Sequence, residues 1–120
     1  MLMAPHTMTQ LSKDMMQCID ECQRCHATCL STARHCLELG GAHAESAHII
    51  LLMDCADICR VSADFMLRVS SHHRVTCRAC AEVCRACADD CERLADGDQV
   101  MLRCVEECRS CQSSCEAMAA

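Results

Sequence analysis

Cys77-Arg78-Ala79-Cys80-Ala81-Glu82-Val83-Cys84-Arg85-Ala86-Cys87-Ala88-Asp89-Asp90-Cys91 sets five cysteines at steps of three, four, three and four. That alternation is the a/d rhythm of a helix packed against other helices. The residues between the cysteines are mostly alanine and charged side chains, so one stripe is sulfur and the remainder is small or solvated. A single sulfur stripe has nothing to bury against unless partner helices present the same kind of surface.

The partners follow on either side. Downstream, Met101, Cys104, Cys108, Cys111, Cys115 and Met118 keep the rhythm. Upstream it runs through Leu11, Met15, Cys18, Cys22, Cys25, Cys29, Thr32, Cys36 and Leu39, then through His48, Leu52, Cys55, Cys59, Ser62, Met66 and Val69. The third helix extends its own seam to His73 and Leu94. All 16 cysteines fall on these seams. Breakers are few: Pro5, Gly40-Gly41, Gly97 and the polar stretch Ser70-Ser71-His72-His73. They leave four segments of roughly 20–30 residues, free of internal Pro and Gly, with short connections. The expectation is an all-α fold, an antiparallel four-helix bundle running up-down-up-down, as one domain over 1–120, with residues 1–8 a tail or short extra helix.

Gly40 suits the closing position of the first helix. Ser71 is expected to cap the third helix, and Asp96 with Gln99 to form a capping box opening the fourth. On the outer faces Asp20/Arg24, Asp64/Arg68, Arg85/Asp89 and Asp89/Arg93 stand at i,i+4 and are expected to pair. The second helix carries Ile49, Ile50, Leu51, Ile58, Val61 and Phe65 beyond its seam. A bundle helix apolar on two sides buries the second on a partner, so a homo-oligomer through this helix is expected. The plainer reading is that the extra apolar surface offsets small side chains elsewhere.

Composition narrows the function. The chain has 120 residues, no Trp or Tyr, and Phe65 as its one aromatic. A core of ordinary hydrophobic residues is therefore missing. A net charge of -6 argues against nucleic acid and against anionic membrane surfaces. No run of about 18 apolar residues suggests a transmembrane helix. The first residues carry no basic n-region, apolar h-region or cleavage site, so a cytoplasmic location is expected. There, dense cysteine reads as metal ligation rather than as disulfides. In-helix neighbours about 5–6 Å apart are in any case too far for the about 3.8 Å between Cβ atoms that a disulfide wants.

Thiolates are the ligands, and about 16 of them buried without compensation would be prohibitive. Soft thiolate sites take Cu(I), zinc or iron–sulfur clusters. A monovalent ion matched to each thiolate leaves the core neutral, whereas zinc with four thiolates leaves two negative charges at each site and needs a tetrahedron. A straight seam does not repeat a tetrahedron, although facing helices could supply one. On charge and geometry Cu(I) is favoured, at on the order of ~16 ions per chain. A zinc-thiolate structural or regulatory module and a copper chaperone remain as alternatives. Cysteine as a mere small core residue would suit one or two positions, and 16 such residues would bury too little area.

Local motifs compete poorly with that reading. Cys22-Gln23-Arg24-Cys25-His26 matches the c-type haem attachment pattern, but both cysteines sit mid-seam. The C-x-x-C pairs lack a βαβ context, and ferredoxin spacing is missing. No nucleophile with an oriented base is evident, so no enzyme is expected. His35, His43 and His48 gather near the first turn, at the end that holds Cys36, Cys91 and Met101. Their two readings are ligands admitting copper or ordinary polar residues. Met15, Met66 and Met118 gather at the other end and read as core filler.

With C-x₃-C-x₂-C-x₃-C in Cys18–Cys29 and again in Cys104–Cys115, completed by Cys77 to Cys91, the chain resembles the bacterial copper storage proteins, in their cytosolic branch. The resemblance spans about Thr9 to Met118. It implies a cysteine-lined four-helix bundle, a homotetramer, and many Cu(I) ions along the bore. It also implies soft ligands at the mouth between the first two helices, where this chain offers His43 and His48 instead of a methionine cluster. Copper donor or acceptor proteins are the partners it suggests.

Overall fold

The computed structural model describes residues 11–120. Segment 1–8, expected as a tail or short helix, lies outside them. Four helices form the chain: α1 (Lys13–Leu39), α2 (Ser46–Leu67), α3 (His73–Leu94) and α4 (Gln99–Ala119), with a 3-10 turn (Gly41–Ala44) between the first two. Each packs on its chain neighbours, and α1 closes the ring against α4. The sulfur pairs fix the directions. Cys18 meets Cys115, Cys25 meets Cys108 and Cys29 meets Cys104, so α1 and α4 run antiparallel. Cys55 meets Cys84 while Cys59 meets Cys80, so α2 and α3 do too. The up-down-up-down order follows from these registers and the short turns.

Ser12 caps α1, its hydroxyl accepting the Met15 N–H at 3.1 Å. Gly40 ends it at φ 72°, donating its N–H to the Cys36 carbonyl at 3.2 Å. The other two caps differ from expectation. Asp98, not Asp96, caps α4, accepting the Met101 N–H at 2.9 Å. Asp96 (φ 45°) and Gly97 (φ 82°) complete the preceding turn, so Gln99 becomes the first helical residue and cannot close a capping box. Ser71 makes no cap for α3; the Ser70 carbonyl accepts from the His73 ring at 2.9 Å, and its hydroxyl accepts the His72 N–H at 3.0 Å.

Val69 lies past the end of α2 rather than on its seam. Its N–H reaches the Met66 carbonyl and that of Ser70 reaches Phe65, both at 2.9 Å. This is the glycine-type helix ending, yet a β-branched residue occupies it at φ 51°. Left-handed backbone costs such a residue roughly 1–2 kcal/mol. Val69→Gly should therefore stabilise the metal-free chain by about 1 kcal/mol, after the added chain entropy of glycine is subtracted. Urea unfolding followed by helical circular dichroism checks it, and a lower midpoint would contradict the strain.

Asp20 and Arg24 pair at 3.3 Å as expected. The other three expected pairs do not form. Arg68 lies over the Phe65 ring, Arg93 takes Asp90 at 2.6 Å, and Asp89 takes Arg109 of α4 at 2.8 Å. On α2, Ile49, Leu51 and Ile58 are half-buried against the core, while Ile50 remains 58% exposed. Every cysteine is buried, none more than 1% exposed. Ala33, Ala56, Ala63, Ala81 and Ala88 fill the spaces between helices and let the backbones approach.

Candidate metal centre

The alternation of three and four brings the cysteine stripes of four helices to one axis, and their thiols make one column. Neighbouring sulfurs are 3.6–4.0 Å apart: Cys22–Cys111 3.6 Å, Cys59–Cys84 3.6 Å, Cys80–Cys84 3.8 Å, Cys29–Cys104 4.0 Å. A disulfide has about 2.05 Å between sulfurs; all 16 thiols are free. At these spacings the thiols make weak S–H···S contacts.

Facing helices bring the sulfurs together in fours. Cys22, Cys80, Cys111 and Cys115 form one group, Cys25, Cys55, Cys59 and Cys84 another, and Cys29, Cys87, Cys104 and Cys108 a third, with all sulfurs in each within 4.8 Å of one another. Facing helices thus supply, as the sequence left open, the four sulfurs per site that one straight seam lacks, so ligand number does not argue against zinc. The charge argument stands. Other groupings share members, as Cys25, Cys29, Cys55 and Cys108 do. The column is thus a continuous set of soft donors rather than separate cages.

Proton affinity is raised along much of this column. Cys29, Cys84 and Cys115 are pushed well above the ordinary thiol range, by neighbouring sulfurs first and by burial second. Burial, then the negative charge of Asp98 and nearby thiols, moves Cys36 up to about 11. A metal entering these positions must displace protons and replace their charge.

At the α1–α2 end the three histidines separate. His48 is buried, with Nε2 3.4 Å from the Cys36 sulfur and Nδ1 2.7 Å from the Asp90 carboxylate. The carboxylate accepts a hydrogen bond from Nδ1–H, which leaves the Nε2 lone pair of the neutral ring beside Cys36. The His48 and Arg93 contacts outweigh burial and hold the Asp90 carboxyl below its usual range. His35 instead binds the capping carboxylate of Asp98 at 2.9 Å, and His43 donates to the Leu94 carbonyl at 3.0 Å. Only His48 of the three touches a cysteine. Met101 is fully buried on its seam.

Sequence reasoning missed Asp90, because only the fold reveals that an acid on α3 stands behind a histidine on α2. It placed Thr32 and Ser62 on inward seams but did not foresee the surroundings of their hydroxyls. Ser62 lies 3.5 Å from the Cys77 sulfur, and the Thr32 hydroxyl is buried without a hydrogen-bond partner among the described residues.

A helical bundle whose bore is a closed column of reduced thiols defines a soft-metal-binding protein. The chain belongs to the copper storage protein family, whose family model matches residues 11–120. Solved structures agree. A protein of Nitrosospira multiformis is 47% identical, over 89% of this chain and 95% of that one, with a TM-score of 0.83. A cytosolic copper storage protein of Streptomyces lividans, solved with five coppers, is 35% identical over 89% and 92%, with a TM-score of 0.83. The Cu(I)-bound copper storage protein BsCsp3 is 30% identical over 90% and 100%, also at 0.83. No curated protein matches the chain significantly.

Proposed function

We propose that this protein stores Cu(I), many ions per chain, on the thiolates of Cys18, Cys22, Cys25, Cys29, Cys36, Cys55, Cys59, Cys77, Cys80, Cys84, Cys87, Cys91, Cys104, Cys108, Cys111 and Cys115. One observation carries the reading: all 16 cysteines are free and buried, and most of their sulfurs stand within 4.0 Å of another. Membership of the copper storage family and the copper-loaded relatives support it. Storage and detoxification, not catalysis, follow from a bore occupied by ligands throughout. Among the described residues no helix is long and apolar enough to cross a membrane, and the cytosolic relative supports a cytoplasmic setting.

His48 with Cys36 is the mixed nitrogen–sulfur pair at the mouth, and the natural first ligand set for incoming copper. His35, His43 and Met101 line the same end in supporting places. The exposed Ile50 and Met53 of α2 support assembly through that helix, as a tetramer by family analogy. Copper donor and acceptor proteins would then meet the α1–α2 end.

Anaerobic titration of the reduced protein with Cu(I), against a chromophoric chelator and with native mass spectrometry, tests the reading. The expected endpoint is on the order of ~16 ions per chain. Saturation at one or two ions would favour a chaperone instead.

Position in the column sets the effect of losing a thiol. Cys25 belongs to at least two of the four-sulfur groups and touches both Cys29 and Cys108. Cys25→Ser should lower capacity by about two or more Cu(I), since bridging neighbours lose a shared ligand. Cys36→Ser should remove only about one. Parallel titrations of the two variants check this, and equal losses would mean that the ions sit at independent sites.

A further inference from the structure

Resting on the storage reading, we infer that Met66 supplies a thioether ligand to a terminal Cu(I) site, with Cys18, Cys77 and Cys115, at the end of the column far from the 3-10 turn. The Met66 sulfur lies 3.7 Å from the Cys77 sulfur, and Met66 is fully buried. Cys18 and Cys115 stand 3.7 Å apart, and both are near enough to Cys77 to shift its proton affinity. Three helices thus bring thiols to this level. The fourth, α2, brings none: past Cys59 its seam continues through Ser62 to Met66. Met66 is the soft donor that α2 presents there.

The arrangement suits Cu(I) in charge and coordination. Cys18 and Cys77 lie outside the three separate four-sulfur groups, at the end of the column where the α2 seam carries no further cysteine. A thioether completes the coordination of an ion there without adding another negative charge, so the match of one cation to one thiolate is kept. In the metal-free bundle the same sulfur lone pair accepts the Cys77 S–H. When Cu(I) displaces that proton, the lone pair faces the metal instead. The Ser62 hydroxyl, 3.5 Å from the Cys77 sulfur, is free to turn its proton to the thiolate formed. Packing alone would be met equally by leucine; the sulfur-to-sulfur contact is what packing does not require.

The decisive experiment is selenium-edge X-ray absorption on selenomethionine protein saturated with Cu(I), in the otherwise unaltered chain and in Met66→Leu, a substitution of similar volume that the core should tolerate. A copper neighbour should appear at the selenium edge and disappear in Met66→Leu. Titration of that variant should also end about one Cu(I) per chain earlier, with the remaining ions held as before. A spectrum without copper, or one undiminished in Met66→Leu, overturns the assignment. If the unaltered chain itself takes up only a few ions, the storage reading fails, and this site with it; full loading beside a silent selenium edge overturns Met66 alone.

Discussion

Saturating the reduced protein with Cu(I) should raise its thermal unfolding midpoint by more than about 20 °C. The metal-free core is poor in what usually stabilises a domain. Among the described residues its fully buried side chains larger than cysteine are Leu52, Met66, Met101, His48 and Thr32, and the last has a hydroxyl with no partner there. Metal held only by the folded arrangement adds about 4 kcal/mol per site at a thousandfold excess over its Kd. The three separate four-sulfur groups alone would then contribute about 12 kcal/mol, at about 2–8 °C per kcal/mol. Thiols of the unfolded chain also bind Cu(I) and reduce the gain, but they are not assembled in fours. Calorimetry of empty and loaded protein measures the difference, and similar midpoints would mean that the metal does not bind the folded bore.

The pH dependence of the two forms should also differ. The Cys36 thiol rises to about 11 from an ordinary 9.0 on folding. A raised value means that the folded state holds its proton more firmly, so this contribution is complete below pH 9.0 and is lost as pH climbs through about 11. The empty bundle should weaken over that interval. The loaded one should not, because its thiols have already exchanged protons for metal.

Much of this was legible in the residue spacing. Steps of three and four from Cys77 to Cys91 determine which face of a helix is sulfur, and four such faces close in only one compact way. The fold class, the burial of the cysteines and the position of Gly40 followed from local rules. The capping of α4 did not: Asp96 and Asp98 are equally plausible in sequence, and the left-handed pair Asp96-Gly97 decides between them. Ion pairs were misjudged for a related reason. Asp89 stands i,i+4 from both Arg85 and Arg93, yet an arginine on the adjacent helix reaches it. Contacts between helices were the least legible, as the Asp90–His48–Cys36 chain demonstrates. Its three members lie on three elements, and no spacing rule joins them.

Zinc should load to about three or four ions per chain, against roughly sixteen Cu(I), and excess Cu(I) should expel it. The structure makes this a close test, because the four-sulfur groups are suited to zinc in shape. Three of them share no cysteine and fit side by side in the bore. Each zinc bound by four thiolates retains a net charge of minus two, so filling all three leaves about six negative charges buried along one axis with no cation near. His48 and the surface arginines cannot offset them, since the arginine partners are outward-facing carboxylates such as Asp20, Glu38 and Asp89. Cu(I) on the same sulfurs balances one charge with one, accepts two or three ligands, and also uses Cys18, Cys36, Cys77 and Cys91, which the three zinc groups leave out. Charge therefore decides where shape does not. Native mass spectrometry after dialysis against each metal, and against both together, reads the outcome. Zinc retained in quantity when Cu(I) is supplied would assign the bundle to a structural zinc role.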